Sequence, residues 1–364
     1  MAGTLAGVRR RWALGWPLAL VLVGLVLPLP VRGAGASGPP TPAYRVDNPV
    51  APRLQWDANH GYCGEVAFIS AGLSFGQYLS QYDARALASP GTPQYEASAQ
   101  LLLGENDTAA ARRMHLTYAT WEPRPGSTSR SFLAWVKGEV VRGFPVAVGV
   151  YENQRRFGLD TAPGAGDPNY DHIVLVTGVR SAFPLTLPAV YHPGDVLTFS
   201  DHGLWTGTPS GRPQYVFSYP FGSFQADRRQ ANRRTAAVYS LPDTVADFGI
   251  ALTGVDDPDH ETVPVRLAAS RNHEVPPISP GSNRRPAPMP LELTVTVSGL
   301  RPGTAYDLYR YDTMTSVPDV AFNAHASAAS HHWAFTASGP TYTVTQAIVS
   351  SDQVIYRAVP ASGP

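Results

Sequence analysis

The stretch Asn59-His60-Gly61-Tyr62-Cys63-Gly64-Glu65 joins a glycine-containing turn to an apolar segment. In that segment, small and apolar residues are spaced three and four positions apart, at Val66, Ile69, Leu73 and Gly76. This spacing places them on one face of an α-helix. The sequence therefore predicts a turn followed by a helix with the cysteine at its N-terminus.

Cys63 is the only cysteine of the 364-residue chain. A single cysteine excludes an intrachain disulfide and any thiolate-rich metal site. Three interpretations remain: a small buried apolar residue, a link to another chain, or a reactive thiol. The predicted helix N-terminus favours the reactive thiol, because the helix dipole and the unpaired amide groups there stabilise a thiolate.

A reactive thiol needs a base that accepts and returns its proton, and imidazole is the usual base near neutral pH. Among the ten histidines, His172 is best placed, because it opens a predicted strand after a loop at 162–169. Asp201 ends the next predicted strand, from which its carboxylate reaches across to His172 and sets the tautomer of the ring. Asp171 is the weaker third member, because consecutive strand residues point to opposite faces.

The order of the apolar patterns predicts an α+β fold followed by an all-β region. Helical patterns occupy 66–76, 95–103, 109–120 and 127–143, and buried strands are expected at 144–151, 173–179 and 196–199. After residue 241 only short alternating runs follow, at 248–253, 262–268, 291–297, 306–311 and 342–349. Helices followed by strands are typical of an α+β domain, and the later runs are typical of a β-sandwich.

The N-terminus has the features of a secretory signal peptide. Three arginines at 9–11 precede an almost wholly apolar run at 12–31, and small residues follow at 33–36. This order predicts export with cleavage near Ala36, or a membrane anchor if the segment is retained. The Gly-, Pro- and Ala-rich residues 37–52 are expected to form a flexible lead-in.

The composition excludes several classes of protein. With 28 basic and 28 acidic residues, the net charge is zero, so we expect no nucleic-acid partner and no membrane contact beyond the signal peptide. No metal site or cofactor is expected. The acidic and amide residues at 167–171 alternate like calcium ligands, but position twelve of such a loop is Gly178 and not a glutamate.

Asn106, in the sequon Asn106-Asp107-Thr108, is a glycosylation candidate.

Four motifs follow one another between residues 55 and 201: Tyr62-Cys63-Gly64 opening a helix, a helix-to-strand step at 140–146, a histidine strand at 171–179, and an acidic strand end at 198–201. In this order they resemble the papain-like cysteine peptidases, most closely the branch that removes double-glycine leader peptides from bacteriocins. The resemblance implies a papain-like domain at 53–240. In it, Cys63 would be the nucleophile, His172 the base and then the acid, and Asp201 the residue that orients the imidazole.

One position departs from the pattern of that family. The family has a glutamine that donates to the oxyanion six residues before the cysteine, and this chain has Asp57 there. A carboxylate would repel an oxyanion, so the flanking amides of Gln55 and Asn59 are the candidate donors.

The stretch Leu300-Arg301-Pro302-Gly303-Thr304-Ala305-Tyr306 resembles the approach to the tyrosine corner of fibronectin type III domains. The resemblance implies a β-sandwich at 241–364 in which the Tyr306 hydroxyl ties back a strand crossing. Such a domain would take a carbohydrate or a protein as its ligand.

These features predict a secreted cysteine-dependent hydrolase that cleaves a peptide or amide bond through an acyl-enzyme. Its substrate would be a peptide or protein, and the chemistry needs no cofactor. Two alternatives stay open. One is an acyl transferase of the transglutaminase or amidase type on the same scaffold. The other is a catalytically inactive binding or adhesion protein, which Asp57 favours.

Overall fold

The chain is of mixed α+β architecture, with four α-helices and fourteen strands among the residues that the structure describes. The computed structural model describes residues 43–151, 170–205, 214–224, 239–241, 247–279 and 281–361. The predicted signal peptide at 1–36 and the loop at 162–169 lie outside these residues. No helix within these ranges combines the length and the apolar character needed to cross a bilayer.

The helices are α1 (Cys63–Leu73), α2 (Gln81–Ala88), α3 (Asp107–Arg113) and α4 (Ser129–Val141). Hydroxyl side chains define the start of α2 and α4. Ser80 accepts a hydrogen bond from the Asp83 amide, and Thr128 accepts one from the Ser131 amide. Each bond satisfies one of the amide groups that a helix start leaves unpaired.

The strands form three antiparallel sheets. In chain order they are β1 (Tyr44–Asp47), β2 (Gln77–Tyr78), β3 (Leu116–Thr120), β4 (Val146–Val150), β5 (His172–Ser181), β6 (Val196–Trp205), β7 (Gln214–Pro220), β8 (Gly249–Val255), β9 (Val265–Ala269), β10 (Pro290–Ser298), β11 (Ala305–Tyr311), β12 (His331–Thr336), β13 (Thr341–Val349) and β14 (Val354–Pro360). A seven-stranded sheet has the order β3-β8-β4-β5-β6-β7, with β1 paired to β5. The other sheets have the orders β13-β10-β9 and β12-β11-β14-β2.

Helix α1 lies in the interior, and all eleven of its residues are buried. Gly64 is required there, because a Cβ would come within 2.1 Å of the Leu101 carbonyl oxygen and 3.2 Å of Ile173 Cδ1. The first turn of α1 therefore packs against the first residues of β5. This contact brings Cys63 to the end of the sheet at which His172 begins its strand.

The two smaller sheets share one apolar cluster, with members from both, including Val265, Leu293, Leu308 and Tyr356. At the start of β11 the Tyr306 hydroxyl accepts a hydrogen bond from the Arg301 amide at 3.0 Å. The hydroxyl tie that the sequence predicts for this stretch is therefore present.

One of the predicted helices is wrong, and another is right only in its first part. The segment 95–103 contains only the short 3-10 helix Ala97–Ala99, and the segment 109–120 leaves the helix at Arg113 and continues as β3. The sequence of β3, Leu-Thr-Tyr-Ala-Thr, favours a pleated surface, and β8 is available as its partner. The lead-in expected to be flexible contains β1, which pairs with the last residues of β5.

Two strands cross the predicted boundary at 240/241. Strand β8, expected in the C-terminal sandwich, lies between β3 and β4 of the seven-stranded sheet. Strand β2, from the N-terminal half of the chain, extends the four-stranded sheet beside β14. The described residues within Pro40–Pro364 accordingly form one compact unit.

Candidate active site

Cys63 occupies the first position of α1 and is 8% exposed. The preceding Gly61 has a φ of +90°, a left-handed conformation that favours glycine, and a Cβ there would lie 3.2 Å from Gln55 Nε2. The predicted turn and helix start are thus both present. The amide groups of the first helical turn have no intrahelical acceptor and lie beside the thiol.

A buried arginine holds the turn that precedes the thiol. Arg85 Nη1 donates to the Asn59 carbonyl at 2.8 Å, Nη2 donates to the Gly61 carbonyl, and Nε donates to Glu65 Oε1 at 2.6 Å. Residues 59–61 all have a positive φ, between 48° and 90°. Because two of these residues are not glycine, the turn is strained, and the guanidinium fixes it to α1.

His172 Nε2 and Asp201 Oδ1 lie 2.6 Å apart. The two residues are on the adjacent strands β5 and β6, as predicted, and His172 is 7% exposed while Asp201 is fully buried. Because Nε2 faces the carboxylate, Nδ1 is the nitrogen through which the ring would exchange a proton with a thiol.

Both carboxylate oxygens of Asp201 are occupied, since the Tyr239 hydroxyl donates to Oδ2. Burial alone would raise the pKa of Asp201. The neighbouring His172 and the hydrogen bonds from His172 and Tyr239 outweigh burial and lower this pKa. The carboxylate therefore stays ionised at neutral pH and orients the imidazole.

The residue after Asp201 adds a second histidine. His202 has a φ of +41° at an irregularity of β6, so that both residues are buried where a regular strand would alternate them. Its ring lies edge-on to His172, with centroids 5.6 Å apart, and its Nε2 donates to the Ile173 carbonyl at 2.7 Å. Burial, and then the charge of His172, lowers the pKa of His202 to about 3, so this ring is neutral.

Three segments of the site meet at His202. Its carbonyl accepts a hydrogen bond from the backbone amide of Gln55 at 3.0 Å. Its ring faces the backbone of Cys63 as well as that of Ile173. Cys63 and Ile173 belong to the same apolar cluster, and Tyr170 packs against it. The pKa of Tyr170 is raised by burial and by the proximity of Cys63. The structure thus gathers the predicted nucleophile, base and carboxylate into one region.

The two candidate oxyanion donors differ in their contacts. Gln55 is 7% exposed, and its Oε1 has no hydrogen-bond partner among the described residues. The Asn59 side chain is committed, with Nδ2 donating to the Tyr62 hydroxyl at 3.3 Å and to the Ser282 carbonyl at 3.1 Å. Asp57 is exposed. Gln55 is therefore the better placed of the two amides.

The glycosylation candidate does not fit the folded chain. Asn106 Nδ2 donates to Ser89 Oγ and to the Gln100 carbonyl, both at 2.9 Å. A glycan on that nitrogen would replace one of its two hydrogens and so remove at least one of these bonds. In the part of the chain that the structure describes, no group of three or more His, Cys, Asp or Glu side chains is arranged to hold a metal ion.

Sequence reasoning missed Arg85, Tyr239 and His202. Arg85 and Tyr239 are far along the chain from the groups they hold, and no local pattern marks them. His202 gave one signal, since histidine is among the residues that tolerate left-handed backbone. The regular alternation of a strand, however, predicts that it faces away from Asp201.

No family model, curated protein or solved structure matches this chain. Its function is therefore inferred from the residues of the site and their geometry. Those residues are the cysteine at the start of α1, the imidazole–carboxylate pair of β5 and β6, and the buried amide of Gln55.

Proposed function

We propose that this protein is a secreted, thiol-dependent hydrolase of peptide or amide bonds, with a papain-like domain that carries the site. The main support is the buried His172–Asp201 pair, 2.6 Å apart, whose histidine begins the strand against which the first turn of the Cys63 helix packs. A cysteine at a helix N-terminus near an oriented imidazole is the arrangement that acyl transfer through a thiol needs.

In the proposed reaction, the Cys63 thiolate attacks the carbonyl carbon of the scissile amide, forming a C–S bond and an oxyanion. The His172 imidazolium gives its Nδ1 proton to the amide nitrogen, the C–N bond breaks, and the amine leaves. Water then attacks the thioester carbonyl while His172 takes one of its protons. The C–S bond breaks, which releases the carboxylic acid and restores the Cys63 thiolate and the His172 imidazolium. Asp201 stabilises the imidazolium throughout.

The oxyanion needs donors that are in place before the reaction begins. We assign this role to the side-chain amide of Gln55 and the backbone amide of Cys63. The closeness of Gln55 Nε2 to the turn at Gly61 supports the assignment. Asp57 is exposed, so its carboxylate is no obstacle to activity on this account.

The proposal includes a C-terminal β-sandwich, supported by the apolar cluster that the two smaller sheets share. A carbohydrate-binding platform would present exposed aromatic rings. Within the described residues of these sheets, Trp333, Phe335 and Tyr342 are half-buried, and the last two stack on each other at 3.8 Å. These rings serve packing, which weighs against adhesion through the sandwich as the main function.

Export is proposed from the sequence at 1–36. Cleavage near Ala36 would leave every described residue in the mature protein. The N-terminal sequence of protein recovered from the culture medium tests this part of the proposal. If the protein is found in a membrane fraction with residues 1–36 still attached, it is anchored to the membrane and not secreted.

The hydrolase proposal is tested with a fluorogenic peptide library and the purified chain, compared with Cys63→Ser. We expect turnover by the wild-type protein and its loss in the variant, with His331→Gln, an exposed position, as the matched control. Activity that survives Cys63→Ser would overturn the proposal. Adding free amines separates hydrolysis from transfer, because a transferase would give the amine adduct in place of the acid.

A further inference from the structure

Tyr239 donates a hydrogen bond to Asp201 through the second oxygen of the carboxylate. The phenol hydroxyl donates to Asp201 Oδ2, while Oδ1 lies 2.6 Å from His172 Nε2. Tyr239 is 1% exposed and Asp201 is fully buried, so water does not screen these contacts. In such a low-dielectric setting, the donors around a carboxylate decide how strongly its charge acts on a neighbouring imidazole.

Packing fixes the position of this hydroxyl. The Tyr239 ring lies edge-on to Phe199 of β6 and to Tyr219 of β7, with centroids 4.8 Å and 5.4 Å apart. The next residue, Ser240, exchanges two backbone hydrogen bonds with Tyr151, just after β4, at 2.9 Å and 3.1 Å. The sheet that carries the imidazole–carboxylate pair therefore also holds the phenol against it.

Several ionisable groups around the carboxylate keep one charge state near neutral pH. Besides His172, the groups that act on its charge include Tyr239 and His202. Burial, and then the charge of His172, lowers the pKa of His202 to about 3, so this ring is neutral. Burial raises the pKa of Tyr170, which lies near Cys63, so its phenol is neutral as well. In the described part of the chain, His172 and Cys63 are thus the ionisable neighbours whose charges are left to vary.

The proposed reaction limits how tightly the imidazolium can hold its proton. The His172 imidazolium must give a proton to the leaving amine, and a general acid works best when its pKa lies near the working pH. A buried carboxylate with its full negative charge would hold the imidazolium too strongly. A phenol that donates to the carboxylate takes up part of this charge and weakens its attraction for the imidazolium.

We propose that Tyr239 is a positioning residue that acts through Asp201: its hydroxyl shares the charge of the carboxylate, so that the His172 imidazolium gives up its proton more readily. The catalytic benefit rests on the proposed hydrolase function. The effect on the imidazole does not, because it depends on these three side chains alone and can be measured without a substrate.

NMR titration of the His172 ring tests the proposal in the full chain, in a Cys63→Ser background that removes the neighbouring thiol. The ring signal is assigned by its absence in His172→Gln. Tyr239→Phe keeps the aromatic ring and removes the hydroxyl. In this variant we expect the pKa of His172 to rise by about half to one unit, because the carboxylate keeps more of its negative charge. An unchanged or lower pKa would overturn the proposal.

Tyr78→Phe is the matched control. The Tyr78 hydroxyl is also buried and donates to the Ser350 carbonyl at 3.3 Å, but Tyr78 belongs to the apolar cluster of the two smaller sheets. This variant should leave the titration of His172 unchanged, and an equal shift in both variants would refute the assignment.

A second substitution keeps the test decisive if Tyr239→Phe fails to fold. Replacement of Tyr239 by 3-fluorotyrosine keeps the hydroxyl and makes it a stronger donor. The pKa of His172 should then fall, and an unchanged or higher pKa would refute the proposal.

Kinetics separate this inference from the hydrolase proposal. In an active enzyme, the high-pH limit of kcat/KM should move up in Tyr239→Phe by the same amount as the His172 titration. At neutral pH kcat should fall several-fold, because the imidazolium is a weaker acid. A shifted titration in a chain that cleaves no peptide would support this inference and refute the hydrolase. Cleavage with neither the limit nor the titration moved would refute this inference alone.

Discussion

The left-handed backbone of a single residue, His202, determines how the candidate site is built. Its φ of +41° turns the ring inward beside Asp201, and its carbonyl accepts a hydrogen bond from the backbone amide of Gln55. The His202 ring also donates a hydrogen bond to the carbonyl of Ile173, the residue that follows His172. One irregular position thus links the carboxylate, the imidazole strand and the oxyanion candidate.

Gln55→Ala should lower kcat for amide hydrolysis by about 10²–10³, the usual effect of removing one oxyanion donor. KM should change much less, because the oxyanion forms only in the transition state. Steady-state kinetics on the best substrate of the peptide library measures both constants. Asp57→Ala, an exposed neighbour, is the matched control and should keep wild-type rates. The opposite pattern, loss in Asp57→Ala and retention in Gln55→Ala, would reject the assignment.

His202 should make the fold less stable as the pH falls from 6.5 towards 3. Its folded pKa is about 3 against 6.5 for an ordinary histidine, so in this window the unfolded chain binds a proton that the folded chain does not. The expected contribution is about 1.4 kcal/mol per pH unit. Urea unfolding of His202→Gln should show a correspondingly shallower pH dependence than the wild type. Exposed His331→Gln should retain the wild-type slope, and identical slopes in all three proteins would contradict the account.

Among the elements, the contact between α1 and α2 depends on the Arg85–Glu65 pair. Both side chains are buried, and the guanidinium also lies 3.5 Å from the centre of the Tyr62 ring. Removing one member of a buried ion pair leaves a charge that water cannot reach.

Arg85→Met should therefore lower the free energy of unfolding by about 3–5 kcal/mol, measured by urea denaturation. The double variant Arg85→Met/Glu65→Leu should recover part of this loss, because it removes both buried charges. Arg142→Ala is the control. It breaks a partly exposed pair with Glu139 and should cost about 1 kcal/mol or less. If Arg85→Met loses no more free energy of unfolding than the control, the Arg85–Glu65 pair is not needed for the contact between α1 and α2.

The elements nearest the site could be predicted because their signals are local. The apolar spacing and Gly61 predict the start of α1, and alternation across neighbouring strands predicts the meeting of His172 and Asp201. The predictions that failed concern elements that depend on pairing between segments far apart in the chain. Strand β3 at 116–120 exists because β8 lies beside it, and β8 is more than a hundred residues away along the chain. The inward turn of His202 likewise depends on a backbone irregularity that no local pattern encodes.

In the molecule as a whole, the N-terminal and C-terminal halves of the chain complete each other's sheets. Strand β8 pairs with both β3 and β4. Strand β14 pairs with β2, the strand that follows α1 in the chain. A fragment ending at residue 240 would expose two edges of the first sheet and part of the α1 packing surface.

We accordingly expect the fragment 43–240 to lack a cooperative unfolding transition, whereas 43–361 should unfold cooperatively. Circular dichroism in a urea series and limited proteolysis measure the difference. The fragment 43–255, which restores β8, is an intermediate control and should be more protected than 43–240. A stable, protease-resistant 43–240 fragment would show that the predicted boundary at 240/241 marks an independent domain.

The proposed hydrolysis requires the Cys63 thiol to exchange its proton with His172. Because Cys63 is the only cysteine, the rate of iodoacetamide alkylation at neutral pH reports on this group alone. A free cysteine is only a few per cent thiolate at that pH, so His172→Ala should slow alkylation by about ten-fold or more, while exposed His331→Gln should not. Equal rates in the wild type and His172→Ala, or alkylation only after unfolding, would contradict the claim.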